Sequence, residues 1–161
     1  MSGWTNLLRT VIMLKTVVLV DDDQDDIDFF SQALFETDSP VELYSFLDCQ
    51  DMLARVQTMK NLPDLIFLDV NMPEMTGWEC LKEMRKVSAF QAVPVIVYST
   101  SSPSIYSNTL KNSGAIAMYE KAVDFQRFKE FIGTLISPSV GGLRYKLQKL
   151  QDSRKHSLII A

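Results

Sequence analysis

Three carboxylates, one hydroxyl and one ammonium stand at the ends of apolar runs in this sequence. The run TVVLV at 16–20 stops at Asp21 and Asp22. The run LIFL at 65–68 stops at Asp69, VIVY at 95–98 stops at Ser99, and residues 115–119 lead through Glu120 to Lys121. Carboxylates brought together repel one another unless a cation neutralises them. Hard oxygen ligands suit Mg²⁺, which keeps several waters and binds through one or two carboxylates together with phosphate oxygens. A carboxylate can also attack a phosphoryl group and form an acyl phosphate. The three equatorial oxygens of the incoming group then need fixed partners. Mg²⁺, the Ser99 hydroxyl and the Lys121 ammonium would supply one each, and backbone N–H groups after Asp69 would share the work. Asp69 is the best-placed nucleophile, because a loop rather than more acid follows it. The competing reading, charges solvated at loop ends, serves for any one of these residues and poorly for all of them together.

Such convergence needs elements that end on one edge. The runs at 16–20, 65–68 and 94–98 are continuous rather than alternating in apolar character, the pattern of strands buried on both faces. Residues 41–46 read as a more exposed second strand and 115–119 as a short fifth. Helical spacing is expected between them. Asp25 is placed to cap a helix reaching about residue 35, through Ile27, Phe30, Ala33 and Leu34. Further helices are expected at 48–60, 78–86, 104–113 (closed by Gly114) and 124–136. Alternating strands and helices predict an α/β fold, a doubly wound five-stranded parallel sheet of order 2-1-3-4-5 between two helical layers. All the chemical groups then lie at the carboxyl ends of the strands. The switch point between strands 1 and 3 is the expected ligand site.

Length and composition agree with one domain. The chain has 161 residues, 47% hydrophobic and 22% charged, which is ordinary for a globular protein. Cys49 and Cys80 lack metal-ligand spacing and are expected as free thiols in a reducing cytoplasm. No apolar run reaches the roughly 18 residues needed to span a membrane, and residues 1–14 lack a secretory cleavage pattern. Residues 137–161 carry a net charge of +4 and the whole chain −4, so the first 136 residues carry −8. An acidic body argues against a nucleic-acid partner.

The stretches KTVVLVDDDQDD (15–26), PDLIFLDVNMPEMTG (63–77), VPVIVYSTSS (93–102) and GAIAMYEKAVDF (114–125) resemble the receiver domains of two-component response regulators, with the stand-alone chemotaxis regulator as the minimal example. The likeness covers residues 15–136, leaving a leader at 1–14 and an extension at 137–161. It implies the flavodoxin-like sandwich and a phosphoacceptor role in phosphorelay signalling. By this resemblance Asp69 is the phosphorylated residue. Asp22 ligates Mg²⁺ directly, Asp21 acts on it through water, and Asn71 lends a backbone carbonyl. Ser99 turns toward the phosphoryl group and Lys121 pairs with it. The phosphodonor would be a histidine kinase or histidine phosphotransfer protein. The output would be a protein contact, with another protein, a second copy or an onward carrier, because 25 residues after 136 are too few for an output domain.

Two positions depart from the family. Ala122 stands where the family places a proline, often after a cis bond. Such a bond costs about 2.5–4 kcal/mol before another residue, so it is either strained or trans. Met118 stands where a switch aromatic is common, and Tyr119 follows it on the opposite face. Either Met118 takes the packing role or the register shifts. A receiver-like scaffold that binds without switching is therefore the alternative function. A phosphatase acting on small molecules lacks support, since Asn71 occupies the position of its second acid and no cap is inserted. Pro73 and Gly77 are expected to shape the loop after Asp69, and Trp78 to pack. His156, the only histidine, has no place at the pocket. In the extension, Leu143, Leu147 and Leu150 at i, i+4 and i+7 outline a short helix. It docks on its own domain, meets a partner or a second copy, or stays disordered. The closing SLIIA at 157–161 is apolar and suits the cover of an exposed edge.

Overall fold

A computed structural model describes Leu14, residues 16–138 and residues 141–161. The expectation for the leader thus lies, Leu14 apart, outside the described residues. The strands are β1 (Thr16–Val20), β2 (Glu42–Phe46), β3 (Leu65–Asp69), β4 (Val95–Ser99), β5 (Ala117–Glu120) and β6 (Leu158–Ile160). The helices are α1 (Gln24–Phe35), α2 (Cys49–Val56), α3 (Gly77–Lys86), α4 (Ser107–Ser113), α5 (Phe125–Ile136) and α6 (Gly142–Asp152).

The sheet runs β2-β1-β3-β4-β5-β6. Its first five strands are parallel, in the order the sequence predicts, and β6 adds an antiparallel edge against β5. This sixth strand is an addition to the expected five, and it lies in the closing apolar residues 157–161 that the sequence offers as a cover for an exposed edge. Its signal, a short apolar run at the end of the chain, has no periodicity to mark it as a strand.

Every residue of β3 and β4 is buried, because helices cover both faces. Alternate side chains divide between two cores. Val17, Leu19, Phe67, Tyr98 and Tyr119 face α1, α5 and α6. Val18, Ile66, Leu68, Val97 and Met118 face α2, α3 and α4. Aromatic rings dominate the first core, with Phe30 against Phe67 at 4.9 Å and Tyr119 stacked on Phe131 at 3.8 Å.

Polar residues fix the helix ends. The Asp23 side chain, not Asp25, caps α1, accepting from the Asp25 N–H. Asp48 caps α2 and Asp124 caps α5. Thr76 and Glu79 satisfy one another's backbone at the start of α3 as a capping box. Gly114, at φ +84°, closes α4 in the left-handed conformation that glycine adopts freely.

Cys49 and Cys80 form a disulfide, with Cα atoms 5.8 Å apart, which corrects the expectation of free thiols. The first residue of α2 and the second turn of α3 meet over the same core. A separation of 31 residues conceals that meeting in the sequence.

The extension docks on the domain. Leu147 and Leu150 bury against the α5 side of the core, and Leu143 packs beside them. Lys146, one of the basic residues between the leucines, is also buried. Its ammonium donates to the carbonyls of Leu135 (2.6 Å) and Ser137. It thereby satisfies the otherwise unpaired C-terminal carbonyls of α5. His156 is buried against the rings of Tyr119 and Phe131.

Candidate functional site

Three strand ends and the loop after β5 bring the predicted residues together. Asp21 follows β1 directly, and its N–H donates to the Phe46 carbonyl at 3.0 Å, so the β1–β2 ladder holds its backbone. Asp69 and Ser99 are the last residues of β3 and β4. Lys121 follows β5, and its N–H donates to the Ser99 carbonyl at 2.7 Å. The ladders that build the sheet thus set the positions of the chemical groups. One oxygen from each of Asp21, Asp22 and Asp69 lies within 4.8 Å of the others. Asp21 and Asp69 are buried and Asp22 is exposed. This cluster of hard oxygen donors, open on the Asp22 side, fits a small divalent cation that keeps part of its water.

The Lys121 ammonium stands inside the acid cluster. It lies 2.6 Å from Asp21 Oδ2, 2.7 Å from Asp26 Oδ2 and 3.3 Å from Asp69 Oδ1. The Tyr98 ring faces it, with its centroid 5.0 Å away. Burial works against the charged ammonium. The hydrogen bonds to Asp21 and Asp26 and the charges of Asp21 and Asp69 outweigh it, holding the ammonium well above the usual lysine range. Burial raises Asp21 to about 6, even though Lys121 and the Asp23 N–H favour its ionised form. Asp69 is likewise raised by burial, with Lys121 opposing and the Asp22 charge adding to the rise. A cation among these oxygens would favour the ionised forms.

Ser99 Oγ accepts from the Ser101 N–H at 3.2 Å and from Asn71 Nδ2 at 3.5 Å. Asn71 is exposed at the start of the loop after Asp69. Gly77 closes that loop, its N–H donating to the Val70 carbonyl at 2.9 Å. A Cβ at Gly77 would lie 2.1 Å from the Asp69 carbonyl oxygen, so only glycine fits. Trp78 packs its ring 5.7 Å from that of Tyr106 and takes no part in the site.

The two departures are resolved locally. No peptide bond is cis among the described residues, so Lys121–Ala122 is trans, and Lys121 still reaches Asp69. Met118 is fully buried over α3 and α4, opposite Val97, while Tyr119 faces α5. Met118 therefore takes the packing role with the register intact.

Sequence reasoning missed Asp26 and Tyr98. Asp26 is one of five aspartates at 21–26, and nothing in the run separates it from Asp25. Its position in the first turn of α1, beside the end of β1, is the signal that would have placed it near Asp21. Tyr98 reads as one more apolar strand residue, although it immediately precedes Ser99.

The family model of the response regulator receiver domain matches residues 17–133. The two-component response regulator ARR3 of Arabidopsis thaliana is 29% identical over 113 residues, which make up 68% of this chain and 49% of that protein. The chain therefore spans about half the length of that relative. The polar-differentiation response regulator DivK of Brucella ovis is 27% identical over 124 residues, 74% of this chain and 94% of that one. Among solved structures, the phosphorylated cyanobacterial phytochrome response regulator RcpA superposes with a TM-score of 0.66 at 25% identity, covering 74% of this chain and 89% of that one. Among the described residues, no helix is long and apolar enough to cross a membrane. The matched span contains every residue of the acid cluster together with Ser99 and Lys121, and on that match the chain belongs to the response regulator receiver domain family.

Proposed function

We propose that this receiver takes a phosphoryl group on Asp69 from a histidine kinase or histidine phosphotransfer protein. The observation that carries the reading is the Lys121 ammonium 3.3 Å from Asp69, inside a cluster of three carboxylates. An Asp69 carboxylate oxygen forms the new P–O bond as the donor's P–N bond breaks, and the donor imidazole leaves as the phosphoryl group departs. Mg²⁺ held by Asp21, Asp22, Asp69 and the Asn71 backbone carbonyl would neutralise charge on the transferring oxygens. Lys121 supplies a fixed positive charge beside Asp69, and the Ser99 hydroxyl, at the end of the neighbouring strand, offers a donor to a second oxygen.

The added charge, about −1.5 to −2, would draw Ser99 away from Asn71 and the Ser101 N–H. That local change is the proposed start of a switch in a protein-interaction surface. A cytoplasmic setting goes with this reading, in which case the Cys49–Cys80 bridge has to persist against the reductants of that compartment. The alternative, a receiver that binds its partner without switching, draws support from β6, which covers the edge of β5. Retention of partner proteins on the immobilised chain, with and without beryllofluoride and Mg²⁺, separates the two. Switching predicts a partner retained in only one state. Identical retention in both states would favour the scaffold.

A further inference from the structure

The Lys121 ammonium has three N–H donors and no acceptor. Two are taken by short charge-assisted bonds, to Asp21 at 2.6 Å and to Asp26 at 2.7 Å. The third partner, Asp69, is farther away at 3.3 Å. Apart from the Tyr98 ring, 5.0 Å from the ammonium, little else aims this side chain. Its stem is flexible, the next residue, Ala122, is half-buried, and Val123 is fully exposed. One carboxylate alone would let the ammonium pivot. Asp21 after β1, Asp26 on α1 and Asp69 on β3 fix it from three separate elements.

We propose that Asp26 is a positioning residue for phosphoryl transfer at Asp69, acting through Lys121 to leave one donor aimed at the acceptor. The inference rests on Asp69 being the phosphoryl acceptor. Asp26 suits the task because it sits on a capped helix, in the first turn where the helix dipole favours its charge. The plainer account is that Asp26 merely complements the dipole. Asp25 shares that first turn yet is exposed and has no lysine partner among the described residues, whereas Asp26 reaches across 95 residues of sequence to Lys121. A dipole role would be indifferent to Lys121, which gives the test its discriminating arm.

The experiment compares the full chain with Asp26→Ala, Asp26→Asn, Asp26→Glu, Lys121→Ala and the double variant Asp26→Ala/Lys121→Ala. Phosphoryl uptake from acetyl phosphate is timed with Mg²⁺, metal affinity is titrated separately, and the Nζ–H signal of Lys121 is followed by ¹⁵N NMR. Asp26→Ala is expected to slow uptake about tenfold or more with metal affinity unchanged. Asp26→Glu should recover part of the rate, and the Asp26→Ala loss should vanish in the Lys121→Ala background. The Lys121 Nζ–H signal should exchange away in Asp26→Ala. Should that variant not fold, Asp26→Asn is read in its place against the same lysine background. An unchanged rate, or an equal loss in both backgrounds, would overturn the proposal. If the unsubstituted chain takes up no phosphoryl group, the reading of Asp69 fails instead. The Nζ–H signal then decides the positioning role alone, and its persistence in Asp26→Ala overturns that role too.

Discussion

Asp69 owes its position to a glycine eight residues away. The Asp69 carbonyl oxygen fills the space where a side chain at residue 77 would begin. Gly77→Ala must therefore move backbone rather than the tip of a flexible side chain. It is expected to lose about 1–3 kcal/mol of stability, the usual range for overpacking, and to slow phosphoryl uptake because Asp69 itself shifts. Urea unfolding and an uptake assay on the folded variant check both parts; full stability and full rate would show that the loop relaxes around the methyl group. At this scale most of the site was legible. Asp21, Asp22, Asp69, Ser99 and Lys121 each follow or end an apolar strand, and the structure gathers them. Asp26 was not legible, because its role depends on a contact across 95 residues of sequence within an acidic run. The trans bond before Ala122 leaves Lys121 at the site, so the missing proline does not displace it.

The elements carry two features that a minimal receiver does not need. The first is the bridge between α2 and α3. Closing a loop over 31 residues of separation restricts the unfolded chain, so replacing both cysteines by alanine should cost about 3–4 kcal/mol. Unfolding free energies from denaturant titration, with the slope fitted for each variant because the unbridged chain unfolds to a more expanded state, measure the loss. Alkylation of the unreduced, unfolded protein should label neither cysteine; labelling of both would mean that no bridge forms.

The second feature is the docked extension, where β6 and α6 enclose His156. Neither ring nitrogen of His156 has a hydrogen-bond partner among the described residues. Burial lowers its pKa below the usual 6.5, with Arg127 and Lys155 also disfavouring the charge and Glu130 opposing them. Because the unfolded chain takes up the proton more readily, stability is full above the unfolded value and falls as pH drops through it. Unfolding compared at about pH 7.5 and about pH 5.5 should show a larger loss for the unsubstituted chain than for His156→Phe. Equal losses would mean that His156 is hydrated in the fold. The fold was legible where the apolar pattern was strong, in the continuous runs of the inner strands, the buried faces of α1 and α5 and the leucines of α6. The apolar close of the chain was legible as an edge cover but not as a strand, and the burial of Lys146 and His156 was not legible, because pairing at an edge and hydrogen bonds to the end of α5 are tertiary events without a local signal.

Across the whole molecule, the parallel sheet delivers acids, a hydroxyl and a lysine to one edge, while the extension closes another edge beside β5. The acid cluster is costly by itself, since burial raises both Asp21 and Asp69. A cation and a phosphoryl group would turn that cost into binding. The central claim is that Asp69 accepts the phosphoryl group. The most direct measurement is intact mass followed by peptide mapping after incubation with acetyl phosphate, with and without Mg²⁺, for the unsubstituted chain and Asp69→Asn. The account predicts one added phosphoryl group, dependent on Mg²⁺, mapped to Asp69 and absent from Asp69→Asn. No addition to the folded chain, or an addition that persists in Asp69→Asn, would contradict it.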